Sequence, residues 1–136
     1  MSVQAEVLLP GTGAAATALA LTAPISFWGG VDPKSGLVAD PRHPEHGQLI
    51  SGKVLLVPET VGSSSAAAIL LELVHAGRAP AAIVLHEPDA ILLLGLIVAR
   101  EMGLETPIAL RLDRGRFSAL HGRALQVSPD GLIRGT

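Results

Sequence analysis

Residues 53–112 alternate between short unbroken apolar runs and longer segments with helical spacing. "KVLLVP" carries no polar residue between Lys53 and Pro58, which predicts a strand buried on both faces. Gly62 and three serines, Ser63, Ser64 and Ser65, then open a helical pattern that runs to Val74. His75 falls in its last turn and Gly77 is placed as a C-cap. "PAAIVL" at 80–85 predicts a second buried strand, and Asp89 is placed to cap a second helix, "AILLLGLIVAREM", closing at Gly103. "PIALRL" at 107–112 predicts a third strand. The order is β-α-β-α-β, so the strands are expected to be parallel and the crossovers right-handed.

The flanks follow a different pattern. "AEVLL" and "ATALAL" predict two short strands joined by "PGTGAA" through a tight turn. "ALQVSPDGLIRG" predicts a hairpin turning at Pro129, Asp130 and Gly131. Between the first flank and the central unit runs "ISFWGGVDPKSGLVADPRHPEHGQLI", rich in Gly, Pro, Asp and His. Its apolar residues favour an ordered loop, and loops of that length in compact domains usually carry function. The second helix is apolar nearly all round from Ile91 to Val98, so it is buried on several sides or part of it faces another protein.

The 136 residues fit one domain spanning 1–136, and at 49% hydrophobic they support a core. Aromatics are 2%, so that core is built from Ala, Val, Ile and Leu. A net charge of -2, with no basic stripe, argues against nucleic acid. There is no cysteine, which excludes disulfides, thiol chemistry and a cysteine-held cluster in this chain, and fits a cytoplasmic location. Residues 13–23 resemble a signal-peptide core, but no Lys or Arg precedes them. The longest apolar run, residues 90–99, is short of the about 20 residues that cross a membrane.

Five stretches carry candidate chemistry. The serines follow the carboxyl end of a parallel strand and open a helix, where ligands gather in open α/β sheets and where free N–H groups suit a carboxylate or phosphate. The plain alternative makes Ser63 an N-cap and its neighbours filler. "GTGAAA" at 11–16 matches a dinucleotide fingerprint in isolation, which is weak support beside a hairpin turn. His43 and His46 in "RHPEH" have no ligand set of zinc-site spacing around them and read as a surface turn. His86, Glu87 and Asp89 read as a capped turn at a strand end, and His75 and His121 as surface residues. "PISFWGGVDP" holds Phe27 and Trp28 beside Gly29 and Gly30, a loop either plugged by Trp28 or approached closely by a ligand.

Three features in this order are distinctive: "APISFWGGVDPKSGLVADPRHPEHG", then "GSSSAAAILLELVHAGRAPAAIVLHEPDAILLLG", with the strand between them. Together they resemble the small swivel-domain component of aconitase X, from about Gly11 to Pro107 and more loosely to the C-terminal hairpin. The resemblance implies a swivelling β/β/α domain like the mobile domain of aconitase, with the β-α-β-α-β unit flanked by short β-hairpins. It implies a larger partner subunit that carries an iron–sulfur cluster and most of the substrate site, with no metal held by this chain. The family's dehydratases act on cis-3-hydroxy-L-proline or on mevalonate 5-phosphate, and the Ala-, Gly- and Arg-rich style here is closer to the first, bacterial group.

Aconitase-type swivel domains carry Gly-Ser-Ser at a strand-to-helix turn, with the first serine as base. Carried over, this makes Ser63 the catalytic base, with Gly62, Ser64 and Ser65 on the substrate carboxylate. Ser26, Trp28, Gly29 and Gly30 then close over it. Ala66 and its neighbours replace the arginine-containing continuation of that motif, so a guanidinium clamp is expected from the other subunit. The rival from another class is a non-catalytic regulatory or assembly module with the same fold.

Overall fold

The structure, a computed structural model, describes residues 1–62 and 64–136. Its strands are β1 (Ser2–Gln4), β2 (Glu6–Leu9) and β3 (Ala14–Ala20), followed by a short kinked helical turn, α1 (Phe27–Gly30). The central unit comprises β4 (Val54–Val57), α2 (Ala66–His75), β5 (Ala82–Leu85), α3 (Ala90–Glu101) and β6 (Ile108–Arg111). A 3₁₀ turn over Arg114–Arg116 leads into α4 (Phe117–Leu120), and β7 (Ala124–Val127) and β8 (Leu132–Gly135) close the chain.

The strands hydrogen-bond in the order β1-β8-β7-β3-β4-β5-β6-β2. Strands β3, β4, β5 and β6 are parallel, as the crossover pattern requires. β3 belongs to two sheets: Ala14–Thr17 pair antiparallel with β7, and Ala18–Ala20 pair parallel with β4. The small sheet of β1, β8 and β7 therefore folds over one face of the middle sheet, and α2 and α3 cover the other.

Alternation along the middle strands explains their unbroken apolar sequence. Leu55, Val57, Ile83, Leu85 and Ala109 point into the helix-side core with Leu70, Leu73, Leu92 and Leu96. Val54, Leu56, Ala82, Val84, Ile108 and Leu110 point the other way, against Leu125, Val127, Ile133 and Phe117. Both faces are dry, so no polar residue interrupts β4 or β5.

The helix boundaries follow the capping chemistry. Asp89 caps α3, its Oδ1 accepting from the Leu92 N–H at 3.0 Å. Gly77 and Gly103 follow α2 and α3 at φ of 71° and 82°. The C-terminal hairpin forms as expected: the Gly131 N–H donates to the Ser128 carbonyl at 2.9 Å, and Gly131 takes φ of 90°.

The N-terminal strands form but do not make a hairpin with each other. β1 pairs with β8, and β2 pairs antiparallel with β6 at the far edge of the middle sheet. "PGTGAA" is instead a crossing from β2, at that edge, to β3 on the opposite side of the middle sheet. A Cβ at Gly11 would meet the Ile108 nitrogen at 2.5 Å, and one at Gly13 the Val127 carbonyl oxygen at 2.8 Å. The glycines of the apparent dinucleotide fingerprint are packed against protein backbone, with no room for a pyrophosphate.

The long loop is ordered. Val31 bridges Val38 and Leu37 bridges Leu49, and Val31, Val38 and Ile50 are buried in the helix-side core. His43 is not on a surface turn: it is buried, its Nε2 lying 3.2 Å from the Ala23 carbonyl oxygen while its Nδ1 accepts from the Glu45 N–H at 3.0 Å. Glu45 in turn accepts from the Thr22 N–H and hydroxyl at 2.6 and 2.8 Å. This strut ties the end of the loop to the segment that leads into α1. Among the described residues, no helix is long and apolar enough to cross a membrane.

Candidate active site

The carboxyl ends of β3, β4, β5 and β6 share one edge of the middle sheet, and the segments leaving them meet there. The decisive junction joins the segments after β3 and β4. Ile25 bridges Thr60 in parallel, with the Ile25 N–H donating to the Glu59 carbonyl at 3.1 Å and the Val61 N–H to the Ile25 carbonyl at 2.9 Å. Ser26 on one segment and Gly62 on the other follow immediately. A third segment is tied in by the Thr60 hydroxyl, which donates to Asp89 Oδ2 at 2.7 Å. Asp89 thus caps α3 with one oxygen and holds Thr60 with the other.

Gly62 is exposed, and among the described residues a Cβ there meets nothing within 4 Å. Its φ is not in the left-handed region, so neither backbone nor packing requires a glycine. Ser63, the candidate base, lies outside the described residues. Ser64 is exposed in the turn, and Ser65 is the N-cap of α2, its carbonyl accepting from the Ile69 N–H at 3.3 Å. The helix therefore starts later than the cap reading of Ser63 placed it. α2 starts at this turn, and the positive end of a helix favours a carboxylate.

On the facing segment, Phe27 is the plug and Trp28 is not. Phe27 is 1% exposed and belongs to the helix-side core, while Trp28 is 58% exposed. Trp28 breaks the helical conformation at ψ of 110°, and Gly29 follows at φ of 81°. The Ser26 hydroxyl donates to the Trp28 carbonyl at 3.0 Å, which holds this turn closed. A Cβ at Gly29 meets nothing within 4 Å among the described residues, while one at Gly30 would lie 3.1 Å from Ile25 Cγ1. The geometry brings together the two segments that carry Gly62, Ser64, Ser65, Ser26, Trp28, Gly29 and Gly30.

Other groups at this edge were not singled out by the sequence. Arg111 Nε donates to the His86 carbonyl at 3.0 Å, and the Arg114 N–H donates to His86 Nδ1 at 2.9 Å. That bond makes Nδ1 an acceptor and leaves the neutral ring's proton on Nε2. Arg111 thus ends β6 with its guanidinium tied to the segment after β5, and Arg114 follows in the next turn. The alternation of "IALRL" was the available signal, because its one polar residue ends the strand. His75 is exposed, as read from the sequence; His121 is exposed too, but its Nδ1 accepts from the Ala20 N–H at 3.0 Å.

Among the described residues, no three His, Cys, Asp or Glu side chains converge to hold a metal ion. The sequence has no cysteine to ligate an iron–sulfur cluster.

The chain is similar to known proteins in sequence and in fold. The chain is 49% identical over 115 residues to a cis-3-hydroxy-L-proline dehydratase of Pseudomonas aeruginosa, covering 81% of this chain and 20% of that protein. It is 40% identical over 99 residues to the phosphomevalonate dehydratase small subunit of Methanothermobacter thermautotrophicus, covering 73% of this chain and 75% of that one. The chain therefore spans about a fifth of the length of the first relative and most of the second. The crystal structure of holo-form aconitase X from Thermococcus kodakaraensis superposes with a TM-score of 0.85 at 26% identity, over 100% of this chain and 98% of that chain. The family model for the aconitase X swivel domain matches residues 2–134, and the chain belongs to that family.

Proposed function

We propose that this chain is the small subunit of a heteromeric aconitase X hydro-lyase that dehydrates cis-3-hydroxy-L-proline to Δ1-pyrroline-2-carboxylate. The observation that carries the chemistry is the junction of Ile25 with Thr60, which sets the Ser26–Gly30 turn beside the serine turn at the sheet's carboxyl edge. The higher identity to the hydroxyproline enzyme supports the substrate.

In this reading Ser63 removes the proton on the carbon next to the carboxylate. The electron pair forms the double bond to the neighbouring carbon, whose hydroxyl leaves with a proton as water. The enamine product then tautomerises to the imine. A serine hydroxyl is a weak base, so its alkoxide needs stabilising, and the N–H groups at the start of α2 are the available donors. Ser64, Ser65 and those N–H groups hold the substrate carboxylate, and the open space over Gly62 leaves room for the ring. Ser26, Trp28, Gly29 and Gly30 cover the site from the other side. The iron–sulfur cluster belongs to the large subunit, and the complex works in the cytoplasm.

A second reading has its own support. The phosphomevalonate dehydratase small subunit is matched over three-quarters of its length, and mevalonate 5-phosphate is likewise a β-hydroxy carboxylate. The same base and the same carboxylate site serve both substrates. The test is to co-express the chain with its large subunit, purify the complex without oxygen, and measure both dehydrations. Turnover of the proline is expected, and Ser63→Ala is expected to lower kcat by about 100-fold or more. Turnover of the phosphate alone moves the assignment to the second reading. Full activity of Ser63→Ala removes the serine from catalysis and leaves a structural module.

A further inference from the structure

α2 and α3 cover the same face of the middle sheet, packed closely where Gly95 faces the Ala67 backbone. Their outward faces differ. α2 turns Ala68, Glu72 and His75 to solvent. α3 and its C-cap turn out Ile91, Leu94, Ile97, Val98 and Met102, each between 41% and 55% exposed. Residues 91, 94, 98 and 102 fall on one stripe, ~16 Å long at the helical rise. Ile97 carries the apolar surface round to a groove of about 330 Å³ between α3 and β2, lined by Leu8, Leu9, Pro88, Leu93 and Leu94. Glu101 is the exposed charge that breaks this face near the helix end, and the apolar surface before it is of the kind that marks interaction sites.

The stripe is continuous with the candidate site. Ile91 stands two residues beyond Asp89, whose carboxylate holds Thr60, and Val61 next to Thr60 is 54% exposed. Trp28 adds exposed apolar surface on the neighbouring turn. Whatever completes this site meets Ile91. Four-fifths of the Pseudomonas relative lies outside the stretch matched here, so the rest of such an enzyme has to reach this edge.

We propose that the outward face of α3, from Ile91 to Met102, together with its groove against β2, is the surface on which the large subunit docks. This rests on the reading that the chain acts with a large subunit. The test substitutes Leu94→Glu with Val98→Glu in the full chain, with Ala68→Glu on α2 as the control, and titrates each against purified aconitase X large subunit. The double variant is expected to bind about 100-fold more weakly and the control within threefold of wild type. Circular dichroism of the variants alone should match wild type, because both positions face solvent. If the double variant unfolds, Met102→Glu, just past the helix end, should weaken binding about tenfold.

Binding of the double variant within threefold of wild type overturns the proposal. So does a wild-type chain that does not bind the large subunit at all. A chain that dimerises alone, and whose dimer but not whose large-subunit complex is broken by the double variant, shows that the face belongs to a second copy. Because assembly is read without turnover, a complex that assembles and dehydrates neither substrate sinks the functional reading while leaving the docking surface standing.

Discussion

Two glycine-bearing turns invite comparison: residues 10–14, between β2 and β3, and residues 59–65, between β4 and α2. The first carries the better-known ligand motif and the second only a glycine before three serines. The space around the glycines reverses that ranking. At Gly11 and Gly13 the missing side chain makes way for the backbone of Ile108 and Val127. At Gly62 the missing side chain leaves open space at the sheet's carboxyl edge. A glycine enclosed by its own protein belongs to folding. One that is unforced by φ and packed against none of the described residues leaves space that a ligand can use.

The sharpest way to break this contrast is Gly11→Ala. Backbone atoms at 2.5–2.7 Å cannot rotate aside, so the variant should lose about 3 kcal/mol or more, read as the shift in denaturant midpoint. A loss under about 1 kcal/mol would mean that the crossing is not tightly packed. Gly62→Ala should do the opposite. Stability should stay within about 0.5 kcal/mol, while kcat of the reconstituted complex falls about tenfold because the added methyl occupies the substrate's approach. Unchanged activity would count against substrate binding at this turn.

The smallest effect concerns protons at the first turn. Pro129 lies against Gly13, and its hairpin is held by Asp130, which accepts from the Ser128 hydroxyl at 2.5 Å and the Leu132 N–H at 3.2 Å. The Ser128 hydroxyl, and then the Leu132 N–H, hold the Asp130 carboxyl below its ordinary value of 3.8. A depressed carboxyl adds stability that is present above about pH 4 and lost as pH falls through its folded value. Thermal midpoints between pH 7 and pH 3 should therefore fall less steeply in Asp130→Asn than in wild type. The group is fully exposed, so the difference should be small, and equal slopes would deny the carboxylate any role in the turn.

The β-α-β-α-β unit was legible because each strand is a short dry run and each helix is capped by its own neighbours in sequence. Asp89 and Gly103 act within a few residues of the helix they bound. The pairing of β2 with β6 was not legible, because its partner lies about a hundred residues further on and no local signal selects it. Lacking that partner, "PGTGAA" looked like a hairpin. His43 was misjudged for the same reason: its flanking prolines suggest a surface turn, and its bond to Ala23 depends on the fold. The end of β4 at Val57 was readable, whereas the bond from the Thr60 hydroxyl to Asp89 was not. The apolar girth of α3 was plain in the sequence, but only the packing of α2 against it shows which side is left uncovered.

The pairing of β1 with β8 has a consequence for how such a domain is carried in a genome. Ser2 lies opposite Arg134, and the Gly135 N–H donates to the Met1 carbonyl at 3.2 Å, so the two ends of the chain meet on one small sheet. That sheet is a different layer from α2 and α3. A gene fusion at either end would leave the serine turn and the outer face of α3 in place. A circular permutant that joins the ends and reopens the chain at another surface loop should fold to the same shape. One module can thus be encoded as a separate small subunit or as a fifth of a long polypeptide, the two forms in which its relatives occur, without rebuilding the carboxyl edge of the middle sheet.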